Sequence, residues 1–173
     1  LNADRRDESA PGGIARFTQE IGLVLGAAAL AFWLLALLSH SLADPAWTTT
    51  GSRPEVGNWG GRLGALVADG SLFLLGFSVW WCFAAGVRLW LSSLARWLRG
   101  TAAPMDGERW WQRPAARRAA RWGGLLLLLM ASTALEWSRL HTLEARLPGH
   151  AGGVLGHALG PLAERWLGFT GAA

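Results

Sequence analysis

The sequence predicts an all-α membrane protein: a polytopic helical bundle of three spans plus the start of a fourth, with Gly-rich loops and short interfacial helices on its outer side. Three observations predict it. Residues 21–39, 70–87 and 122–135 are apolar runs without a single charge, and about 20 apolar residues cross a bilayer core of about 30 Å as a helix. None of the runs shows the polar face that a soluble helix repeats every 3.6 residues. The 16 basic residues, all Arg, are unevenly divided among the segments that join the runs, as positive-inside sorting requires.

The first run follows a polar segment, residues 1–16, expected to stay in the cytoplasm, and gives a span at about 20–42. It exceeds the apolar stretch of a secretory signal and ends in Asp-Pro rather than a small-x-small site, so it is expected to remain as an anchor. The stop itself reads SLADPAW (41–47). Ser39 and Ser41 can bond back to helix carbonyls, Asp44 before Pro45 is biased away from helical backbone, and Trp47 suits the headgroup layer.

The second run gives a span at about 67–91, preceded by the Gly-rich stretch GNWGGRLGALVAD (57–69). Here Asp69 is expected to open the helix, where the dipole favours a carboxylate that can cap free N–H groups, and to hold the Gly60–Gly64 turn. Cys82, the one cysteine, lies inside this run, so an intrachain disulfide is excluded. The third run gives a span at about 119–138, long enough once Ala119 and Ala120 are included and Arg121 snorkels to the interface. After it comes a tail with a short surface helix at about 154–162, then the first turns of a truncated fourth span from about 166. Residues 17–173 thus form one transmembrane domain.

Arg5, Arg6 and Arg16 precede the first run, and Arg96, Arg99, Arg109, Arg113, Arg117, Arg118 and Arg121 lie between the second and third. Those ten share one side, against five elsewhere (Arg53, Arg62, Arg139, Arg146 and Arg165). The N-terminus and the loop at about 92–121 are therefore expected inside, with 42–66 and 139–168 outside. Twelve Trp and no Tyr reinforce the membrane reading. Trp47, Trp59, Trp90, Trp97, Trp110, Trp111, Trp122, Trp137 and Trp166 fall near run ends or in linkers, as an aromatic belt does, and only Trp33, Trp80 and Trp81 sit deep.

The stretch RWWQRPAARRAARW (109–122) mixes Arg with Trp. Nucleic acid could use that mixture through stacking and phosphate contact, but an amphipathic helix on anionic lipid uses it equally well. Lipid is the expected ligand of Arg113, Arg117, Arg118 and Arg121, with no direct nucleic-acid contact. Metal or haem would need tightly spaced ligands, and His40, His141, His150 and His157 are loosely spaced; no metal or cofactor is expected. Transport would need a charge near the bilayer middle, whereas Asp69, Glu136 and Arg88 fall near run ends and read as solvated interfacial groups. A phosphate-binding loop of the G-x-x-x-x-G-K-[ST] kind needs a lysine, and the chain has none, so no nucleotide-driven enzyme is expected within it. The Gly-rich outer stretches read either as loops re-entering the interface or as a surface for partner proteins.

Three segments carry a family resemblance: HSLADPAW (40–47), GNWGGRLGALVADGSLFLLG (57–76) and GHAGGVLGHALGPLAERWLGFTGA (149–172). Together they resemble the N-terminal four-span membrane domain of the FtsK/SpoIIIE DNA translocases. Asp44, Pro45 and Trp47 match its S-x-x-D-P-x-W element. Asn58, Gly60, Gly61, Gly64, Ala65, Ala68, Asp69, Phe73 and Gly76 match the element that opens its second span. Gly152, Gly153 and Gly156 match its G-G-x-x-G segment. The resemblance covers about residues 14–173; the missing fourth span and the long Arg/Trp loop at 92–121 depart from the pattern. It implies a septum-targeting anchor in the bacterial inner membrane, joined to a hexameric motor outside this chain and contacting membrane proteins of the division machinery. A small polytopic transporter subunit or other scaffold is the alternative.

Overall fold

The computed structural model describes residues 11–52, 55–99, 114–139 and 147–171. Among them there is no strand, and five helices follow one another: α1 (Pro11–Leu38), α2 (Gly61–Leu75), α3 (Val79–Arg99), α4 (Pro114–Arg139) and α5 (Gly153–Gly171). A 3-10 turn, Gly76–Ser78, joins α2 to α3.

Two helical stretches are long and apolar enough to cross a membrane: Arg16–Leu38, with mean hydropathy 2.5, and Gly61–Arg99, with mean hydropathy 1.7. Only 11% of the most apolar part of the first stretch is buried within the chain. Phe17, Val24, Leu25, Leu35 and Leu38 are instead turned outward. In water such a surface would be a large apolar patch; against hydrocarbon it is the expected solvent face. α4, with Arg117, Arg118 and Arg121 in its first half, does not meet the same standard of length and apolarity.

The second run is expected as one continuous span, and the structure divides it. Gly76 takes φ +59°, a left-handed conformation that costs a residue with a Cβ but not glycine. The ladder of α2 ends there, with the Gly76 N–H bonded to the Leu72 carbonyl. α3 alone, 21 residues, is about 31 Å long and matches a bilayer core, whereas the 15 residues of α2 reach only about 22 Å. α2 bridges α1 and α5, α1 also packs on α3, and α4 packs chiefly on α5.

The tail also differs from expectation. Instead of a short surface helix and a new span, α5 runs unbroken from Gly153 to Gly171 with Pro161 inside it. Pro161 removes one N–H from the ladder, and the helix continues on both sides. The Arg/Trp connection is shorter than the sequence implies, because α3 extends to Arg99 and α4 starts at Pro114.

The buried core is small and centred on α1 and α2. Ala36, Leu37, Ala68, Leu72, Val79 and Leu147 form it, with Trp33, Leu75 and Phe77 at its edge. Ala36 and Ala68 are fully buried. Small side chains let helices approach closely, and that approach drives packing where lipid removes any hydrophobic gain from burying apolar surface. Two tryptophans expected in the aromatic belt have packing roles instead. Trp90 donates from Nε1 to the Leu23 carbonyl at 2.8 Å, locking α3 to α1, and the Trp137 ring occupies the space that a Cβ at Gly160 would need.

Candidate functional site

Six polar side chains are buried among the described residues: Asp44, Asn58, Asp69, Ser78, Thr133 and Glu136. A buried polar group must find partners, or it costs about 1–3 kcal/mol. Tracing those partners yields two networks.

The first organises the loop between α1 and α2. Asp44 accepts from the Gly57 N–H at 2.8 Å through Oδ1, and its carbonyl accepts from the Thr49 hydroxyl at 2.7 Å. The Ala46 N–H bonds to the Thr49 carbonyl, and the Ser52 N–H to the Ala43 carbonyl, closing residues 43–52 on themselves. Gly51, at φ +74°, permits the closure; a Cβ there would lie 2.6 Å from the Pro45 nitrogen. Asn58 acts at the end of α1. Its Nδ2 donates to the Ala36 carbonyl at 2.9 Å, one of the carbonyls left free at a helix C-terminus, and its Oδ1 accepts from the Gly60 N–H. Ser39 donates to the Leu35 carbonyl and accepts from the Trp59 N–H, so one expected back-bond is present. Ser41 instead accepts from the Ala43 N–H.

Asp69 does not open a helix. It is the ninth residue of α2 and fully buried. Its carboxylate reaches the loop: Oδ2 accepts from the Thr48 N–H at 3.0 Å and Oδ1 from the Thr48 hydroxyl at 2.7 Å. The Gly60–Gly64 turn is held by Asn58, not by Asp69. A Cβ at Gly64 would lie 2.2 Å from Asn58 Oδ1, so glycine is what lets α2 pass this close. Gly61, at φ +63°, starts α2 with open space around it. The loop held this way leaves Trp47 77% and Trp59 70% exposed. His40 is half-buried beside these carboxylates. Burial lowers its pKa, and the charges of Asp69 and Asp44 pull it partly back.

The second network joins α4, α5 and the break before α3. The Glu136 carboxylate accepts from the Phe77 N–H at 2.9 Å and from the Ser78 hydroxyl, and the Gly152 backbone adds a further hydrogen bond. An acid at the start of a helix satisfies N–H groups that no carbonyl of the same helix can reach. Glu136 therefore caps α3 from another helix. Ser132, which contacts Ser78 Oγ at 2.7 Å and accepts from Trp81 Nε1, extends the network. The three tail glycines converge on it. A Cβ at Gly152 would lie 2.2 Å from the Thr133 carbonyl oxygen, one at Gly153 2.6 Å from the Leu74 carbonyl carbon, and one at Gly156 2.6 Å from the Thr133 oxygen.

Glu136 is the residue the sequence reading underrated. It reads there as a solvated interfacial charge and is only 4% exposed. The available signal was the cluster of polar residues in two otherwise apolar runs: Ser78 in one, Ser132 and Thr133 in the other. Arg117, Arg118 and Arg121 lie exposed on the first turns of α4, while Arg113 falls outside the described residues, as do Trp110, Trp111 and His141. His150 and His157 stack at 4.9 Å. Among the described residues no three His, Cys, Asp or Glu side chains gather in a way that could hold a metal.

The chain is similar to known proteins over nearly its whole length. Residues 15–173 match the family described as the 4TM region of DNA translocase FtsK/SpoIIIE. A relative named DNA translocase FtsK 2, from Ralstonia nicotianae, is 38% identical over 171 residues, covering 96% of this chain and 21% of the relative. DNA translocase FtsK of Pseudomonas syringae pv. syringae is 32% identical over 178 residues, 97% of this chain and 21% of its own length. DNA translocase FtsK 1 of Neisseria meningitidis serogroup A is 32% identical over 151 residues, 86% of this chain and 17% of its own. The chain thus spans about a fifth of the length of the curated relatives it matches. No solved structure matches. On this match over nearly the whole chain, with apolar helices to suit, the protein belongs to the membrane-embedded 4TM family of the FtsK/SpoIIIE DNA translocases.

Proposed function

We propose that this chain anchors an FtsK-type DNA translocase in the bacterial inner membrane and directs it to the division septum, with the motor in a part of the protein outside this chain. α1, α3, α4 and α5 are the four spans of this reading, and α2 fastens the outer loop to them. The N-terminus and the connection 100–113 face the cytoplasm, and the α1–α2 loop faces the periplasm. That loop, together with the glycine crossing at α5, forms the surface for membrane proteins of the division machinery, and the domain assembles as a homo-oligomer under its motor.

One observation carries this reading. The α1–α2 loop is tied down by buried Asp44, Asn58 and Asp69, yet Trp47 and Trp59 stay exposed. A loop that only connected two helices would have no need of three buried polar ties. Preorganised, exposed tryptophans are what protein interfaces use as anchors. Septal localisation of the fluorescently tagged full-length protein tests it. Trp47→Ala/Trp59→Ala should reach the membrane at normal abundance and lose enrichment at the septum; wild-type enrichment in that variant sinks the partner role.

A further inference from the structure

A cavity of about 660 Å³ opens between α3, over residues 85–96, and the first half of α4. Arg88, Ser92 and Arg96 recur at helical spacing on one face of α3; Arg118, Arg121 and Trp122 do so on α4, and all six line this space. Residues three or four apart share a helix face, so the two stripes face each other and four arginines line one cleft. Ala85, Leu89 and Leu125 line the same cleft and supply apolar surface beside the charges.

Among the described residues these charges lack counter-charges: no carboxylate pairs with Arg88, Arg118 or Arg121, and Arg96 donates only to Ser93 Oγ. The connection 100–113 brings two acids, Asp106 and Glu108, but also two bases, Arg109 and Arg113. Arg88 is the most telling of the four. The sequence places Arg88 near a run end, but α3 continues for eleven residues beyond it, to Arg99, about 17 Å along the helix axis. A charge so far along a spanning helix is costly and calls for a partner. Guanidinium groups pair best with planar or multivalent oxyanions, which take two N–H donors at once.

Resting on the membrane-anchor reading, we infer that the α3–α4 cleft is a specific site for an anionic phospholipid with two phosphates, of the cardiolipin class. Two arginines from each helix match two phosphodiesters, Ser92 can add a hydroxyl donor, and Trp122 with Leu89 and Leu125 borders the acyl chains. Basic pockets between membrane helices on the cytoplasmic side recognise such headgroups. Unlike a diffuse attraction of the Arg/Trp connection to a charged surface, this site depends on Arg88 and Arg96 of α3 as much as on Arg118 and Arg121.

The test is retention of lipid by the full-length protein, purified in detergent and washed exhaustively. Cardiolipin, phosphatidylglycerol at matched charge and phosphatidylcholine are each supplied, and bound lipid is counted per chain by mass spectrometry. Cardiolipin should be retained, and Arg88→Gln/Arg121→Gln should lower retention about tenfold or more. The charge-matched control Arg99→Gln/Arg109→Gln should stay within about twofold of the wild type. Arg96→Gln/Arg118→Gln must show the same loss as the first variant, and decides the matter if that variant fails to fold. Equal loss in the control, or equal retention of phosphatidylglycerol, overturns the site. Displacement of the lipid by millimolar inorganic phosphate would reassign the cleft to a soluble anion, and displacement by duplex DNA to nucleic acid; either overturns the proposal. Alkaline carbonate extraction of each variant separates the two readings. A chain released from the membrane overturns the anchor itself, whereas an inserted chain without retained cardiolipin overturns only the lipid site.

Discussion

Asp69 holds Thr48 by two hydrogen bonds, taking the backbone N–H at 3.0 Å and the hydroxyl at 2.7 Å, from the middle of a helix that begins thirteen residues after Thr48. The grip predicts the outcome of two substitutions. Asp69→Ala removes both acceptors from a fully buried position and should destabilise the loop by about 1–3 kcal/mol. Asp69→Asn keeps the shape and one acceptor and should cost less. Amide exchange at Thr48 in detergent reads the difference, and equal protection in all three proteins would show that the loop is held by something else.

Glu136 should matter more to stability than an ordinary charge at a helix end. Glu136→Ala strips the Phe77 N–H and the Ser78 hydroxyl of an acceptor and should cost about 1–3 kcal/mol, because buried donors lose their partner. Glu136→Gln should cost less, since an amide oxygen still accepts. Thermal unfolding in detergent gives the ranking, and an alanine variant as stable as the wild type removes Glu136 from the network.

The glycines sort into two kinds. Gly152 combines φ +75° with a carbonyl oxygen in the space of its missing Cβ, so Gly152→Ala should suffer both backbone strain and a forced shift of α5 from α4, about 3 kcal/mol or more in sum. Gly61 shares the positive φ but has open space, so Gly61→Ala should show the strain alone, about 1–2 kcal/mol. Comparable melting temperatures for the two variants would contradict the close crossing.

His40 makes the loop sensitive to acid. Burial depresses its pKa below the ordinary value near 6.5, so the folded loop holds it neutral while the unfolded chain protonates it. Stability is then complete above about pH 6.5 and falls as the pH drops below that value. Protection of the Thr48 amide, measured from pH 7.5 down to 5.5, should decline in the wild type and stay flat in His40→Gln.

Cysteine accessibility tests the orientation directly. In a Cys82→Ser background, an impermeant maleimide added to whole cells should label Thr49→Cys and leave Thr101→Cys unlabelled until the inner membrane is opened. The opposite pattern would invert the topology that the arginines imply.

The membrane class, the helical fold and the family were legible in the sequence because they depend on sums along the chain. Uncharged length, the absence of a polar face and the side on which arginines collect need no knowledge of what touches what. The Asp-Pro stop expected from local backbone sterics is not what ends α1: the helix finishes at Leu38, six residues before Asp44, with Ser39 and Asn58 on its last carbonyls. The roles of Asp69 and Glu136 were not legible either. Both look like interfacial charges in the sequence, since hydropathy registers a carboxylate's cost and is blind to the donor that offsets it. Thr48 lies 21 residues before Asp69, and Phe77 lies 59 before Glu136. Only the tertiary structure brings those donors within about 3 Å. The break at Gly76 follows the same rule: a glycine in an apolar run is compatible with a straight span, and it becomes a bend here because Glu136 and Gly152 occupy the space where a Cβ would stand. Sequence determined that the chain is helical and apolar enough for a membrane, through transfer energies that add residue by residue. Packing decided where the helices bend and which polar groups they bury, because each of those choices depends on a partner distant in the chain.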